Sequence, residues 1–273
     1  MKKTIIVTTD FTDSSRNALS YACEMAADSS YKLLLVHVYT MPANYASDGV
    51  ALAAVKEAFD TAEDKLTDEM EWVLKTYPLV TIEGKATIGG LVASLTDLIQ
   101  EVHPEMLFMG AANDYASLWE WDSEILSALT NLPIPVLVIP KQISYTAIKK
   151  IGFACDYRNL CTPIQINFIK RLTAHTGAQL LVVHIARSKP ENEEVKKKNE
   201  ALLQEMLKDI QPEYYAIEDP NVIDAAAHFV KDHNLDLLMV IPHKHDIWYS
   251  IFHQSHTRQL AKLNNMPILS LPE

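Results

Sequence analysis

The stretch Leu34-Leu35-Val36-His37-Val38 recurs later in the chain as Leu181-Val182-Val183-His184-Ile185. Each stretch is an apolar run with β-branched residues, which is typical of a buried strand. A second strand-like run precedes each of them and leads to an aspartate, Asp10 in the first case and Asp156 in the second. The repeated order of these runs indicates a duplicated domain.

Two more landmarks recur in the same order. Glu105-Met106-Leu107-Phe108-Met109 corresponds to Asp236-Leu237-Leu238-Met239-Val240, and the proline-bounded run at 135–140 corresponds to that at 267–272. The spacing between matched landmarks shrinks along the chain, so the second copy is about 15 residues shorter. The missing residues correspond to the long helical segment that we predict over 47–76.

Strand-like runs alternate with amphipathic, helix-length segments throughout both copies. We predict strands over 4–9, 32–38, 79–86, 105–110 and 135–139, and again over 150–155, 180–185, 213–217, 236–241 and 267–271. Such alternation implies right-handed crossovers and a parallel sheet covered on both faces. The sequence therefore predicts two tandem α/β domains, 1–143 and 147–273, each an open five-stranded parallel β-sheet with helices on both faces.

Glycine is scarce, with 7 in 273 residues, where an average content of roughly 7% would give about 19. Phosphate-binding turns need glycine because only a residue without Cβ lets the backbone approach a phosphate at positive φ. No stretch fits G-x-G-x-x-G or G-x-x-x-x-G-K-[ST]. The dinucleotide-binding and Walker fingerprints are therefore excluded.

The composition restricts the location and the partners. The net charge of −11 argues against nucleic acid as a partner. No apolar run has the length of a membrane span or a signal peptide, so we expect no membrane contact. The three cysteines lack metal-ligand spacing and suit free thiols in a reducing cytoplasm. Two of the ten histidines lie in the first half and eight in the second, which indicates that the copies have specialised.

The segments IIVTTDFTDSSRNALSYACEMA, KLLLVHVYTMP and MLFMGAANDYASLWEWDSEILSALTNLPIPVLVIP resemble the successive parts of a universal stress protein domain. KKIGFACDYRN, QLLVVHIA and DLLMVIPHKHDIWYSIFHQSHTRQLAKLNNMPILSLPE resemble the same template. The resemblance covers nearly the whole chain and rests on the order of the segments and their duplication. It implies a Rossmann-like fold of the adenine nucleotide alpha hydrolase type, with ligands at the carboxyl ends of the strands.

Family members that bind ATP use an aspartate after the first strand, a small apolar residue ending the second strand, and a loop G-x-x-G-(nine residues)-G-[ST] after the fourth. The resemblance therefore implies ligand roles for Asp10 and Asp156, and for Val38 and Ile185. An aspartate at this place can equally cap the turn that follows it. Both roles remain open for the two aspartates.

The phosphate loop is where the chain departs from the family pattern. The first copy retains Gly110 of the three glycines, and Ser123-Glu124 replaces the final pair. Four carboxylates occupy this segment, and no lysine or arginine lies between Lys85 and Lys141. Because like charges repel, we expect poor binding of a triphosphate here.

The second copy has lost all three loop glycines but is locally cationic. His243, Lys244 and His245 begin the segment, and Ser255 stands where the phosphate-contacting hydroxyl belongs. Side chains of this kind can hold an anion in place of backbone amides. The alternatives are a solvated loop or a metal ion bound by the histidines. We expect no metal ion at this segment.

No catalytic motif is present, since G-x-S-x-G does not occur and each aspartate stands alone. We therefore expect a non-enzymatic stress-response binding or regulatory protein without a resident cofactor. The alternative is a protein that binds ATP or another anion and weakly hydrolyses nucleotide, using the basic loop of the second copy. We also expect the two domains to pair within the chain through 136–139 and 268–271. We expect the chain to form a homodimer, with Trp119 and Trp121 as a candidate contact. The sequence does not identify a regulatory protein partner.

Overall fold

The computed structural model describes residues 2–27, 31–39, 49–111, 123–186, 193–242 and 266–273. The chain divides between Tyr145 and Thr146 into two compact units, called here the first unit and the second unit. No helix in the described ranges is long and apolar enough to span a bilayer.

The first unit alternates strands and helices. Its elements are β1 (Lys3–Thr8), α1 (Asp13–Ala27), β2 (Tyr31–Tyr39), α2 (Gly49–Thr76), β3 (Ile82–Ile88), α3 (Leu91–Val102), β4 (Met106–Ala111), α4 (Ser123–Asn131) and β5 (Val136–Pro140). The strands are parallel and lie in the order β3-β2-β1-β4-β5. Ile5, Ile6 and Val7 of the central strand are fully buried because helices cover both faces of the sheet.

The second unit repeats this plan. Its elements are β6 (Lys150–Cys155), α5 (Pro163–Thr176), β7 (Gln179–Ala186), α6 (Glu193–Leu207), a 3-10 helix (Lys208–Ile210), β8 (Glu213–Glu218), α7 (Val222–His233), β9 (Leu237–Val240) and β10 (Ile268–Ser270). Its parallel strands lie in the order β10-β9-β6-β7-β8. The predicted fold class is confirmed, and the shorter second copy is explained by α6, which has 15 residues where α2 has 28.

The strand order reverses direction at the central strand of each unit. From β1 the chain builds outward through β2 and β3, and it then returns to place β4 on the other side. In such a sheet a crevice opens between the carboxyl ends of the strands where the order reverses. The residues that follow β1 and β6, including Asp10 and Asp156, lie at this crevice in their own unit.

The segment 141–145, called here the strap, is fastened along one side of α1. Asn17 Nδ2 donates to the carbonyl oxygens of Pro140 (3.0 Å) and Ile143 (2.9 Å). One turn earlier, Lys141 Nζ lies 2.9 Å from Asp13 Oδ2. One turn later, Tyr145 packs edge-on against Tyr21, with 5.0 Å between ring centroids. The strap is thus an ordered part of the first unit, because residues four apart share one helix face.

The helix α2 is held against α1 by an ion pair. Arg16 Nε donates to Glu69 Oε1 (3.1 Å), and the guanidinium carbon lies 5.0 Å from the centroid of the Trp72 ring. Glu69 is 3% exposed, and a carboxylate so deeply buried needs a partner. This contact fixes the face of α2 that carries Lys65, one helical turn earlier.

Candidate functional site

Asp10 organises the turn between β1 and α1 in the first unit. Its Oδ1 accepts hydrogen bonds from the backbone N–H of Thr12 (3.0 Å) and from Thr12 Oγ1 (2.6 Å). Burial by itself raises the pKa of Asp10, but hydrogen bonds from Thr12 and Ser15 outweigh it and lower the pKa below the usual value. Asp10 is therefore an ionised carboxylate, exposed to solvent at the crevice.

Aromatic rings line the crevice beside Asp10. The ring centroid of His37 on β2 lies 4.4 Å from that of Phe11 and 6.4 Å from that of Tyr39. His37 Nδ1 donates to the carbonyl oxygen of Thr9 (2.7 Å), which fixes the orientation of the imidazole. Phe11 has φ of 64°, an uncommon conformation for a bulky residue that occurs most at functional sites.

Lys65 reaches this ring cluster from α2. Its Nζ lies over the Phe11 ring, 5.2 Å from the centroid. An ammonium group at this distance is attracted to the ring face. The crevice of the first unit therefore combines a carboxylate, aromatic surface and a cation.

In the second unit the matched carboxylate is already bound. Asp156 Oδ1 accepts from the backbone N–H of Arg158 (2.9 Å) and from its Nε (3.0 Å), while Nη2 lies 2.6 Å from Oδ2. The side chain of Asp156 is 8% exposed. Burial raises the pKa of Asp156, and the hydrogen bonds and charge of Arg158 outweigh it, so the pKa is lowered.

The ring arrangement of the first unit recurs in the second, but buried. The ring centroids of Tyr157 and His184 are 4.6 Å apart, and His184 Nδ1 donates to the carbonyl oxygen of Cys155 (3.3 Å). Tyr157 is 5%, His184 2% and Ile185 6% exposed. Their counterparts Phe11, His37 and Val38 are all partly exposed.

A side chain from α6 ties down the loop after β6. Asn199 Nδ2 donates to the carbonyl oxygens of Tyr157 (2.8 Å) and Arg158 (3.4 Å). The crevice residues of the second unit are thus closed by Arg158 and Asn199. In the first unit Asp10 is exposed, and Phe11, His37 and Val38 are partly exposed.

Gly110 has a packing role that is independent of any ligand. A Cβ atom on Gly110 would lie 2.2 Å from the carbonyl oxygen of Ser14 and 2.7 Å from the backbone nitrogen of Ser15. Both are backbone atoms of α1, so β4 and α1 approach closely only because residue 110 lacks a side chain. Gly110 alone is therefore weak evidence for a phosphate loop.

Several residues singled out from the sequence lie outside the described ranges. These are Trp119 and Trp121 of the first copy and His243, Lys244, His245 and Ser255 of the second. Their roles stay predictions. Among the described residues no group of three or more metal-binding side chains comes together.

All three cysteines are free and buried. Burial raises the pKa of Cys23 and of Cys161 to about 12, and it raises the pKa of Cys155 well above its usual value. Since the thiolate is the reactive form, burial disfavours the reactive form of all three thiols.

Four residues that shape the two crevices were not singled out from the sequence: Phe11, Lys65, Arg158 and Asn199. Arg158 carried a readable signal, because an arginine two residues after an aspartate can reach back to its carboxylate. Lys65 and Asn199 carried none, since their reach depends on how α2 and α6 pack.

The fold and the crevice define an α/β protein of tandem parallel sheets, each with a ligand-type crevice where its strand order reverses. The sequence model of the Universal stress protein family matches residues 1–140. The chain belongs to this family, and the resemblance noted in the sequence is confirmed. No curated protein sequence matches the chain.

Solved structures resemble the whole chain. A universal stress protein from Archaeoglobus fulgidus has 11% identity and a TM-score of 0.70, over 100% of this chain and 97% of that one. A putative universal stress protein from Pseudomonas aeruginosa has 10% identity and a TM-score of 0.57, over 99% and 93%. The cytoplasmic domain of a prokaryotic cation chloride cotransporter has 11% identity and a TM-score of 0.53, over 98% and 95%. At such low sequence identity, the structural similarity shows the tandem fold alone.

Proposed function

We propose that this chain is a non-catalytic, stress-response binding protein of the cytoplasm that takes one small ligand, in the crevice of its first unit. The observation that carries the proposal is the contrast between Asp10 and Asp156. Asp10 is exposed at an open crevice, whereas the carboxylate of Asp156 is buried and bound by Arg158. A buried, ion-paired carboxylate is less available to a ligand than an exposed one.

The open crevice suits a planar ring that carries hydroxyl or amino groups. Phe11 and His37 offer aromatic surface, and the ionised carboxylate of Asp10 accepts hydrogen bonds from donors. Asp10 and Val38 also match the positions that family members use for an adenine nucleoside. We therefore take adenosine as the simplest probe of this site.

A triphosphate suits the first unit poorly. Gly110 serves helix packing, and the sequence that follows it carries Asp114, Glu120, Asp122 and Glu124. These carboxylates repel a highly charged phosphate chain.

The sequence alone favoured the second copy as the ligand site. Closure of the crevice residues around Asp156 supports the first unit instead. The basic segment with His243, Lys244, His245 and Ser255 carries the competing proposal, an anion site with weak nucleotide hydrolysis that does not need Asp156.

Isothermal titration of the full chain with adenosine, together with a phosphate-release assay with ATP, tests the proposal. We expect one adenosine per chain and no ATP turnover above a protein-free blank. Absence of adenosine binding would overturn the ligand proposal. ATP turnover that is lost in His243→Ala would support the competing one. The predicted homodimer is tested separately by light scattering during size-exclusion chromatography.

A further inference from the structure

Lys65 occupies a defined place at the crevice of the first unit. Its Nζ lies 5.2 Å from the centroid of the Phe11 ring, and Phe11 directly follows Asp10 in the chain. The position is set from two sides. The turn holds Phe11 at φ of 64° through a hydrogen bond from its N–H to Thr9 Oγ1 (3.0 Å), and α2 is anchored to α1 through Glu69 and Arg16.

The ammonium group of Lys65 is not neutralised by a carboxylate. Lys65 is exposed, and none of the ion pairs among the described residues involves it. Glu69, the carboxylate four residues further along the same helix, is paired with Arg16 instead. An exposed ammonium resting on an aromatic ring is held weakly, so an incoming anion can recruit it.

The second unit has a different side chain on the helix that corresponds to α2. The helix after the second strand sends one side chain to the residue that follows the aspartate in each unit. In the first unit this is Lys65 over Phe11. In the second it is Asn199, which bonds the carbonyl oxygen of Tyr157 and closes the loop. The matching helices therefore contribute different groups: an ammonium over the ring of Phe11 in the first unit, and a neutral amide that bonds the backbone of the loop in the second.

We infer that Lys65 is an anion-binding residue of the first unit, and that the ligand is a ring-bearing compound with one anionic group, such as a nucleoside monophosphate. This inference rests on the proposed function. One ammonium on a flexible four-carbon stem balances one phosphate or carboxylate. Longer phosphate chains carry more negative charge than one ammonium group balances, and the carboxylate of Asp10 adds repulsion. Lys65 thus supplies the charge that the degenerate glycine loop lacks.

Adenosine and adenosine 5′-monophosphate form a matched pair of probes, because they differ only in the phosphate. Titration calorimetry of the full chain measures both dissociation constants for the wild type, Lys65→Gln, Lys65→Arg and Lys75→Gln. Lys75 is an exposed residue of the same helix, about 15 Å further along its axis, and it controls for loss of one surface charge.

We expect the wild type to bind the monophosphate more tightly than adenosine. Lys65→Gln weakens binding of the monophosphate about three- to fivefold, as for a solvent-exposed ion pair, and leaves adenosine binding unchanged. Lys65→Arg retains the preference, and Lys75→Gln behaves like the wild type. Equal effects of Lys65→Gln and Lys75→Gln would overturn the role of Lys65 while leaving adenosine binding intact. Failure of the wild type to bind either probe would instead overturn the proposed function and this inference with it.

Discussion

Arg158 Nη2 lies 2.6 Å from Asp156 Oδ2, so a residue of the protein holds the carboxylate that the family pattern assigns to a ligand. In the first unit the corresponding turn has Thr12 at the second position after the aspartate, and the hydroxyl of Thr12 donates to Asp10 Oδ1. The two duplicated aspartates therefore have different surroundings. One is a closed structural ion pair and the other remains open to solvent.

Removal of Arg158 should destabilise the protein in a pH-dependent way. Arg158→Gln leaves a buried carboxylate without its cation, and we expect a loss of about 1–2 kcal/mol in the free energy of unfolding near pH 7. Because the pKa of Asp156 is lowered in the folded state, its stabilisation is present above the unfolded-state pKa and is lost as the pH falls through the folded-state pKa.

Urea denaturation followed by circular dichroism, at pH 7 and at lower pH values, checks this expectation. The difference between wild type and Arg158→Gln should shrink as the pH is lowered toward about 3. Lys197→Gln removes an exposed charge from α6 and should have little effect at any pH. A difference that stays constant across this range would show that Asp156 is not the partner that matters.

Gly110 should tolerate no side chain. Gly110→Ala places a Cβ atom against backbone atoms of Ser14 and Ser15, so α1 must shift, at a cost of about 2–3 kcal/mol of unfolding free energy. The matched control is Gly90→Ala at the start of α3, where no atom lies within 4 Å of the added Cβ. We expect the control to cost less than about 1 kcal/mol, as measured by chemical denaturation. Equal costs for the two variants would exclude the packing role of Gly110.

The strap should loosen when Asn17 is truncated. Asn17→Ala removes the hydrogen bonds to Pro140 and Ile143, at a cost of about 1–2 kcal/mol. Hydrogen exchange of the Ile143 amide, which bonds Pro140 at 3.0 Å, and trypsin cleavage after Lys141 should both become faster. Asn131→Ala removes an amide that bonds only within or beside α4, and it should change neither rate. Unchanged exchange in Asn17→Ala would mean that the strap does not depend on this residue.

The periodicity of the sequence predicted most of the fold. The first strand was expected over 4–9 and is Lys3–Thr8, and the long helix expected over 47–76 is Gly49–Thr76. The third strand was placed three residues early, because the apolar run begins at Leu79. That residue is 77% exposed in the turn before Ile82–Ile88, and hydrophobicity alone does not separate an exposed apolar residue from a strand residue.

The site was predictable only in part, for physical reasons. The sequence placed Asp10 and Asp156 correctly after the central strands. The sequence predicts the same role for both aspartates, because a position in a repeat carries no information about the solvent exposure of its side chain. Their difference arises from Arg158, which binds the carboxylate of Asp156, and from Asn199, which reaches across the packing of a helix onto a loop. The contact of Asn199 depends on the tertiary arrangement and leaves no local pattern.

We propose that only the first unit offers its aspartate to a ligand. Titration calorimetry with adenosine on the full-length Asp10→Asn and Asp156→Asn variants tests it most directly, with circular dichroism to confirm that both are folded. We expect Asp10→Asn to weaken binding at least about tenfold, which corresponds to roughly 1.4 kcal/mol, and Asp156→Asn to bind as the wild type does. Loss of binding in Asp156→Asn with retention in Asp10→Asn would contradict it.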